Sequence, residues 1–366
     1  MRRVGAERSD VPLTWPNTLL RPPSRLIYLD LNHWIGLAKA NTGHPDGERW
    51  QPALVALRRR DDEWEVVIGL PLIMELTGIR RRAQRAHLTA IEELTGFASV
   101  LPLTTVAALE FEASLTAFVP LAPRFAPVAL LGEGVAHAYG VRGGFRVRDR
   151  DGNDVTAWAR AESRLGADEF DRRLLEAERQ LNRSVIGGPA NDAEEREITL
   201  RGWNPTAVRA EAEKRAQQER DQAAALAGDP RSRRGRLRDQ IAVQYLALEI
   251  EEIREASLAA HGIRLAEVLT SVEHARAFTD SMPAGDVWIS LRTAKHRNAD
   301  SVWKANDIFD IDALSVAAAY CDVVVTERHS AHVLAEAGVP ERDGTAVLTS
   351  LDRLAERVAP RPARHS

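Results

Sequence analysis

Arg25-Leu26-Ile27-Tyr28-Leu29-Asp30-Leu31-Asn32-His33-Trp34 decides how the chain is read. The apolar run before Asp30 does not alternate, as expected of a strand buried on both faces of a parallel sheet. Residues 31–40 read as a helix that begins at once. An aspartate at such a junction has two ordinary uses. It caps the helix, or it stands at the carboxyl end of a strand, where open α/β sheets collect ligands.

Working outward, Trp64-Glu65-Val66-Val67-Ile68-Gly69 reads as a second strand, and Pro71 suits the first turn of a helix ending near Thr77. Residues 80–97 predict another helix. Residues 100–103 predict a short strand, followed by a helix capped at Thr104 or Thr105. Helical patterns then dominate residues 104–283, apart from a hairpin signal at Asp151-Gly152. Within that stretch, residues 207–227 and 237–260 predict long helices, the second stopping before Gly262. Strand–helix alternation returns in the tail: a helix from Pro283, a helix over 307–320, the strand Val323-Val324-Val325-Thr326, a helix over 329–337, a strand over 346–348, and a final helix capped by Ser350. The expected architecture is an α/β fold, a parallel sheet flanked by helices and built from residues 25–103 and 284–358. A mostly helical insertion, 104–283, interrupts it. Residues 1–24, with Pro12, Pro16, Pro22 and Pro23, predict a loosely held arm, and 359–366 a tail.

Composition narrows the function classes. With 44% apolar and 28% charged residues the 366-residue chain is globular. Its net charge of −4 gives no global attraction to nucleic acid, so polyanion binding must come from local patches. The single cysteine, Cys321, excludes an intramolecular disulfide framework and a Cys-rich zinc site, and reads as a core residue. The ten histidines form no His-x-x-x-His or Glu-x-x-His pair, which disfavours histidine-bound zinc. P-loop, dinucleotide-glycine and Gly-x-Ser-x-Gly signatures are absent from the sequence. Neither a signal peptide nor an apolar run of about 18 residues is visible, giving the expectation of a soluble, cytoplasmic protein without a membrane partner.

Four acids share one kind of position in the predicted pattern. Asp30 ends the first strand, Glu75 lies in the helix after the second, Asp312 leads an Ala-rich helix, and Glu327 follows Thr326. Each has a plainer use as a cap or a solvated charge. Clustered carboxylates repel, however, and no Lys or Arg within these motifs neutralises them. A hard divalent cation, Mg²⁺ or Mn²⁺, is the expected counter-ion, and metal-assisted phosphodiester hydrolysis the expected chemistry.

The same residues resemble a known family. Leu29-Asp30-Leu31-Asn32-His33-Trp34-Ile35 resembles the opening motif of PIN-domain nucleases, and Leu72-Ile73-Met74-Glu75-Leu76 is similar to their second acidic motif. Asp312-Ala313-Leu314-Ser315-Val316-Ala317 resembles the third, and Asp322 through Glu327 the strand that ends in Thr and an acid. The resemblance implies a PIN-like sheet, metal held by Asp30, Glu75 and Asp312, orientation by Asn32, and Glu327 as the variable fourth acid. The chain departs from the pattern in three places. Leu31 replaces the usual Thr, the acid follows Thr326 directly with Arg328 beyond it, and the insertion between the second and third motifs is long.

Basic residues flank these motifs. Arg81 and Arg85 share a predicted helix face, Lys295 and Arg297 precede the third motif, and Arg231 to Arg238 form the densest basic stretch. Arg81, Arg85, Lys295 and Arg297 are the expected contacts to phosphates. The expectation is thus a Mg²⁺- or Mn²⁺-dependent endonuclease, acting on RNA in preference to DNA. The helical insertion would select substrate, a protein partner or a second copy of the chain. The alternative is a catalytically inactive module of the same fold that binds nucleic acid or protein.

Overall fold

The computed structural model describes residues 15–77, 87–189, 191–200, 204–227 and 235–359. Its strands are β1 (Leu19–Leu20), β2 (Arg25–Leu29), β3 (Trp64–Val67), β4 (Ala98–Val100), β5 (Val128–Ala129), β6 (Leu131–Glu133), β7 (Val323–Val325) and β8 (Ala346–Leu348). Helices that carry the discussion are α1 (Leu31–Asn41), α2 (Leu70–Thr77), α3 (Leu103–Phe118), α4 (Pro205–Ala227) and α5 (Leu237–Gln244), then α6 (Glu251–His261), α7 (Pro283–Arg297), α8 (Ala305–Tyr320) and α9 (Arg328–Glu336). The protein is mixed α/β, with parallel sheets flanked by helices. Among the described residues no helix is long and apolar enough to cross a membrane.

The chain falls into two compact units. One combines residues 1–28, 103–130 and 212–349; the other combines 29–102, 131–211 and 350–366. Their boundaries differ from the division expected at 103/104 and 283/284, and the helical stretch 104–283 is shared between them.

In the first unit β2, β7 and β8 are neighbours in that order, with β7 and β8 parallel and Val323, Val324 and Val325 opposite Ala346, Val347 and Leu348. The three valines are fully buried, as their composition predicts. Asp322 fastens the start of this sheet: its Oδ2 accepts from the Leu26 amide at 2.9 Å, and its carbonyl accepts from the Ala346 amide at 2.9 Å. The supposed loose arm is anchored from Trp15 onward. β1 pairs in parallel with β5, and the buried Thr18 hydroxyl donates to the Leu109 carbonyl at 2.8 Å.

At the heart of this unit lies α7. Every residue from Pro283 to Thr293 is buried, together with His296. A helix enclosed on all sides normally carries only apolar side chains, yet Asp286, Arg292 and His296 are among the buried ones. Its first turn leaves amide donors unpaired, and the α3 side chain Glu110 receives two of them, Ala284 N at 2.7 Å and Gly285 N at 3.1 Å. The Tyr320 hydroxyl donates to the same carboxyl group. The predicted helix over 237–260 is interrupted: after α5 the backbone widens into a π-helical turn, Tyr245–Glu249, before α6 ends at the left-handed Gly262.

In the second unit Asp30 is followed at once by α1, and β3 leads to Ile68, which pairs in parallel with Ser99 beside β4. β4 runs antiparallel to β6. The helix after β4 begins at Leu103, so Thr104 and Thr105 lie inside its first turn and do not cap it. The Asp151-Gly152 hairpin forms around an antiparallel bridge between Arg148 and Asp154.

Glu110 has a pH signature. Complete burial pushes its carboxyl up to about 7, from 4.5, against the opposing hydrogen bonds from Tyr320 and the α7 amides. The folded state therefore holds this proton more tightly than the unfolded chain, and the group's contribution falls as pH rises from 4.5 towards 7. The span corresponds to about 3 kcal/mol. Urea denaturation of wild type and Glu110→Gln at about pH 5 and about pH 8 checks this. The wild type should lose more stability than the variant on going to the higher pH; parallel losses would show that Glu110 does not titrate as described.

Candidate functional site

Asp30 sits between β2 and α1 and performs the capping role. Its Oδ1 accepts from the His33 amide at 3.3 Å and lies 2.5 Å from the His33 Nδ1. The carboxylate is thus held on the first turn of α1, where its charge also complements the helix dipole. Asn32 is exposed on that turn. Glu75 is half-buried on α2, the helix that follows β3 in the same unit. Leu72, Ile73 and Leu76 bury the opposite face of that helix.

The other two acids belong to the first unit. Glu327 is exposed in the turn from β7 to α9. Asp312 leads an Ala-rich run but not its helix: the helix expected over 307–320 starts at Ala305, leaving Asp312 in mid-helix, where a helix N-terminus cannot favour it. Its partner is a cation from the helical stretch. Arg215 on α4 donates from Nη1 to Asp312 Oδ2 at 2.6 Å and from Nη2 to Asp312 Oδ1 at 3.2 Å. The same Nη2 donates to Glu249 Oε1 at 2.6 Å. The absence of a neutralising cation inferred from the motifs is therefore corrected for Asp312, from about a hundred residues away along the chain. A planar guanidinium matched to both oxygens of a carboxylate is the strongest geometry such a pair adopts.

The pairing continues inward. Arg292 on α7 lies 3.8 Å from Glu249 and 2.9 Å from Glu219 of α4, and His296 Nε2 lies 2.7 Å from the other Glu219 oxygen. Arg292 is 2% exposed, and its guanidinium carbon lies 3.8 Å from the centre of the Trp288 ring. Burial lowers the Arg292 guanidinium below its ordinary value although Glu249 and Glu219 oppose the change. At Arg215 burial pulls the same way, but Asp312 and Glu249 outweigh it and hold the group above its ordinary value. Tyr245, in the π-helical turn, is driven well up by burial and by the fields of Glu110, Glu249 and Asp312. Its hydroxyl has no hydrogen-bond partner among the described residues, and neither has Arg292 Nε.

Of the residues expected to meet nucleic acid, Arg81 and Arg85 lie outside the described residues. Lys295 is 2.8 Å from Asp307 and 5.1 Å from the centre of the Trp303 ring, so its charge is already balanced. Arg297 is exposed, in a cleft it lines with Asn298, His329 and His332. In the dense basic stretch, Arg231, Arg233 and Arg234 also lie outside the described residues. Arg238 is turned inward to Asp280, at 2.7 Å, and to Asp286.

Carboxylate oxygens are the right donors for Mg²⁺ or Mn²⁺, but these residues do not fit a ready-made centre. Among the described residues no three or more His, Cys, Asp or Glu side chains are grouped to hold a metal ion. Both Asp312 oxygens face a guanidinium, and Asp30 Oδ1 faces His33. No reaction step through a metal follows from this arrangement.

Sequence reasoning missed Arg215, Glu219, Glu249 and Arg292. One signal was present. Among the described residues of α4, Ala212, Ala216, Glu219 and Leu226 are buried, so Glu219 is a charge on an otherwise apolar stripe. Comparison with protein families, with curated proteins and with solved structures finds no match to this chain.

The capping role of Asp30 gives a measurable expectation. Asp30→Ala should lower stability by about 1 kcal/mol, whereas Asp30→Asn, which caps equally well, should change it by only a few tenths. Equal thermal denaturation of Asp30→Ala and wild type would remove the cap from the account.

Proposed function

We propose that the protein is a phosphodiester-cleaving nuclease of PIN-like arrangement, acting on RNA in preference to DNA and dependent on Mg²⁺ or Mn²⁺. The observation that carries this reading is local. Asp30 directly follows β2, Glu75 lies on the helix after β3, and Glu327 follows the strand β7 and Thr326. Carboxyl ends of strands are where α/β sheets collect ligands. The ordered set of motifs through Asp312 supports it further. In this reading Asp30, Glu75 and Asp312 are the metal-binding acids, with Asn32 as the orienting residue and Glu327 as the assisting acid. Arg297, exposed and close in sequence to α8, supplies charge to the nucleic acid backbone.

One observation favours a second reading, a catalytically silent module that binds nucleic acid or protein. The Arg215 clamp already satisfies Asp312 without a metal.

Cleavage of labelled single-stranded RNA, single-stranded DNA and duplex DNA in Mn²⁺ separates the two. Wild type should cut RNA fastest, and Asp30→Asn and Asp312→Asn should each lower the rate by about a hundredfold or more. Equal rates in the three proteins would refute the nuclease. No cleavage by wild type, with salt-dependent RNA binding unchanged by Asp30→Asn, would establish the silent module.

A further inference from the structure

The cleft that Arg297 lines has two walls of matching helical spacing. Ser290, Thr293, Ala294 and Arg297 fall on one face of α7, and His329, His332, Val333 and Glu336 on one face of α9. Two helical stripes thus face each other across about 490 Å³. That volume lies within the range of ligand-binding clefts, roughly 300–1,000 Å³.

The two helices run in opposite directions. Arg342, shortly past α9, lies 2.5 Å from Asp286 in the first turn of α7, so the end of α9 lies beside the start of α7. Arg297, Asn298 and His329 therefore share one mouth of the cleft, while Arg238, Ala337 and Gly338 stand towards the other. Among the described residues the Arg297 and His329 side chains have neither an ion pair nor a hydrogen bond. Asn298 Oδ1 accepts from the Asp300 amide at 3.1 Å, which leaves Nδ2 as a donor. By contrast Lys295 is balanced by Asp307, and Arg238 by Asp280 and Asp286. Glu336, the carboxylate in the lining, lies 3.5 Å from His332 and two helical turns, about 10 Å, along α9 from His329.

We propose that this cleft anchors a single nucleic acid strand by one phosphate. Arg297, Asn298 and His329 hold the phosphate, and the apolar side chains of Ala294, Val333 and Ala337 take the adjoining sugar and base. The inference rests on the proposed nuclease for the identity of the strand, although its test reads binding and not cleavage.

The chemistry of the mouth favours that occupant. A guanidinium fork matches phosphate oxygens, and a cation without an acid partner keeps its charge for a ligand. The amino end of α9 lies at the same mouth and adds partial positive charge, with no cap from the Glu327 side chain. The chain's net charge of −4 gives no general attraction to a polyanion, so affinity must concentrate where cations are unpaired. His329 also stands two residues beyond Glu327, which follows β7 and Thr326. A strand anchored here is brought to the fourth acid of the nuclease reading.

The test is binding of a short, fluorescently labelled single-stranded RNA to the full chain in EDTA, followed by anisotropy. Arg297→Ala should weaken binding about tenfold and lower the slope of log affinity against log salt by about one. Arg297→Lys, which keeps the charge without the fork, and His329→Gln should each weaken it about threefold. Ala337→Leu, which narrows the cleft without altering charge, should weaken it about fivefold. Arg264→Ala removes an equal charge from an exposed arginine outside the cleft and should change affinity about twofold at most. Equal losses in Arg297→Ala and Arg264→Ala would overturn the site, as would full affinity in Arg297→Ala. If Ala337→Leu does not fold, the exposed Arg297 and His329 variants decide by the same readout. Uridine monophosphate should compete at concentrations where inorganic phosphate does not; equal competition by the two would overturn the strand as occupant in favour of free phosphate. RNA binding lost in Arg297→Ala, in a protein that cleaves nothing, would keep the cleft and remove the nuclease. Cleavage that needs Asp30, with RNA affinity unaltered by Arg297→Ala, would do the reverse.

Discussion

A helix buried on every side that nevertheless carries charge is the constraint from which the first unit follows. Residues 283–293 of α7 are all buried, so Asp286, Arg292 and His296 must each find a partner from the elements around them. Arg342 and Arg238 meet Asp286, with Arg342 at 2.5 Å, while Glu219 meets both Arg292 and His296. Glu110 closes the helix's amino end. The positions of α3, α4, α5 and α8 around α7 are specified by these pairings as much as by the apolar contacts between them.

Energetically such pairs have an asymmetric character. Taken out of water together, two opposite charges contribute little net stability, because desolvation offsets most of their attraction. Removing one partner is another matter and costs several kcal/mol, since a bare charge is left behind. The network therefore acts less as a source of stability than as a penalty on every alternative packing of α7. Arg215 is its outer margin: side chains of Arg215 and Asp312 retain 27% and 19% exposure, against 2% at Arg292. Water reaches the outer pair and hardly the inner one, so the outer pair is the better screened of the two.

How much was legible in the sequence follows from the range of the forces involved. Strands such as Arg25–Leu29 and Val323–Val325, and the helices that follow Asp30 and Thr326, are written in local apolar patterns and were readable with near-correct bounds. Asp30 was readable only as a choice between cap and ligand, and its bond to His33 makes it a cap without deciding more. Asp312 leads the Ala-rich run within the helix expected over 307–320, and that helix begins earlier still, at Ala305. Arg215 was not readable as its partner. It stands among many exposed charges on α4, and nothing local distinguishes an arginine that turns inward. Long-range pairing of charges leaves almost no trace in a single sequence, whereas periodicity leaves a strong one.

The widened turn at Tyr245–Glu249 carries a consequence for how this stretch tolerates change. One additional residue per turn rotates everything beyond it by about 100° relative to everything before it. Ile241 and Tyr245 are thereby buried ahead of and within the turn, while beyond it Ser257 and His261 reach Glu112 on α3, His261 at 2.6 Å. A single stretch of chain thus serves two neighbours through a built-in phase step. Substitutions within it alter one contact at a time, but gain or loss of one residue would turn the two halves out of phase at once. In descendants of this sequence, length between Leu237 and His261 should be held more strictly than composition.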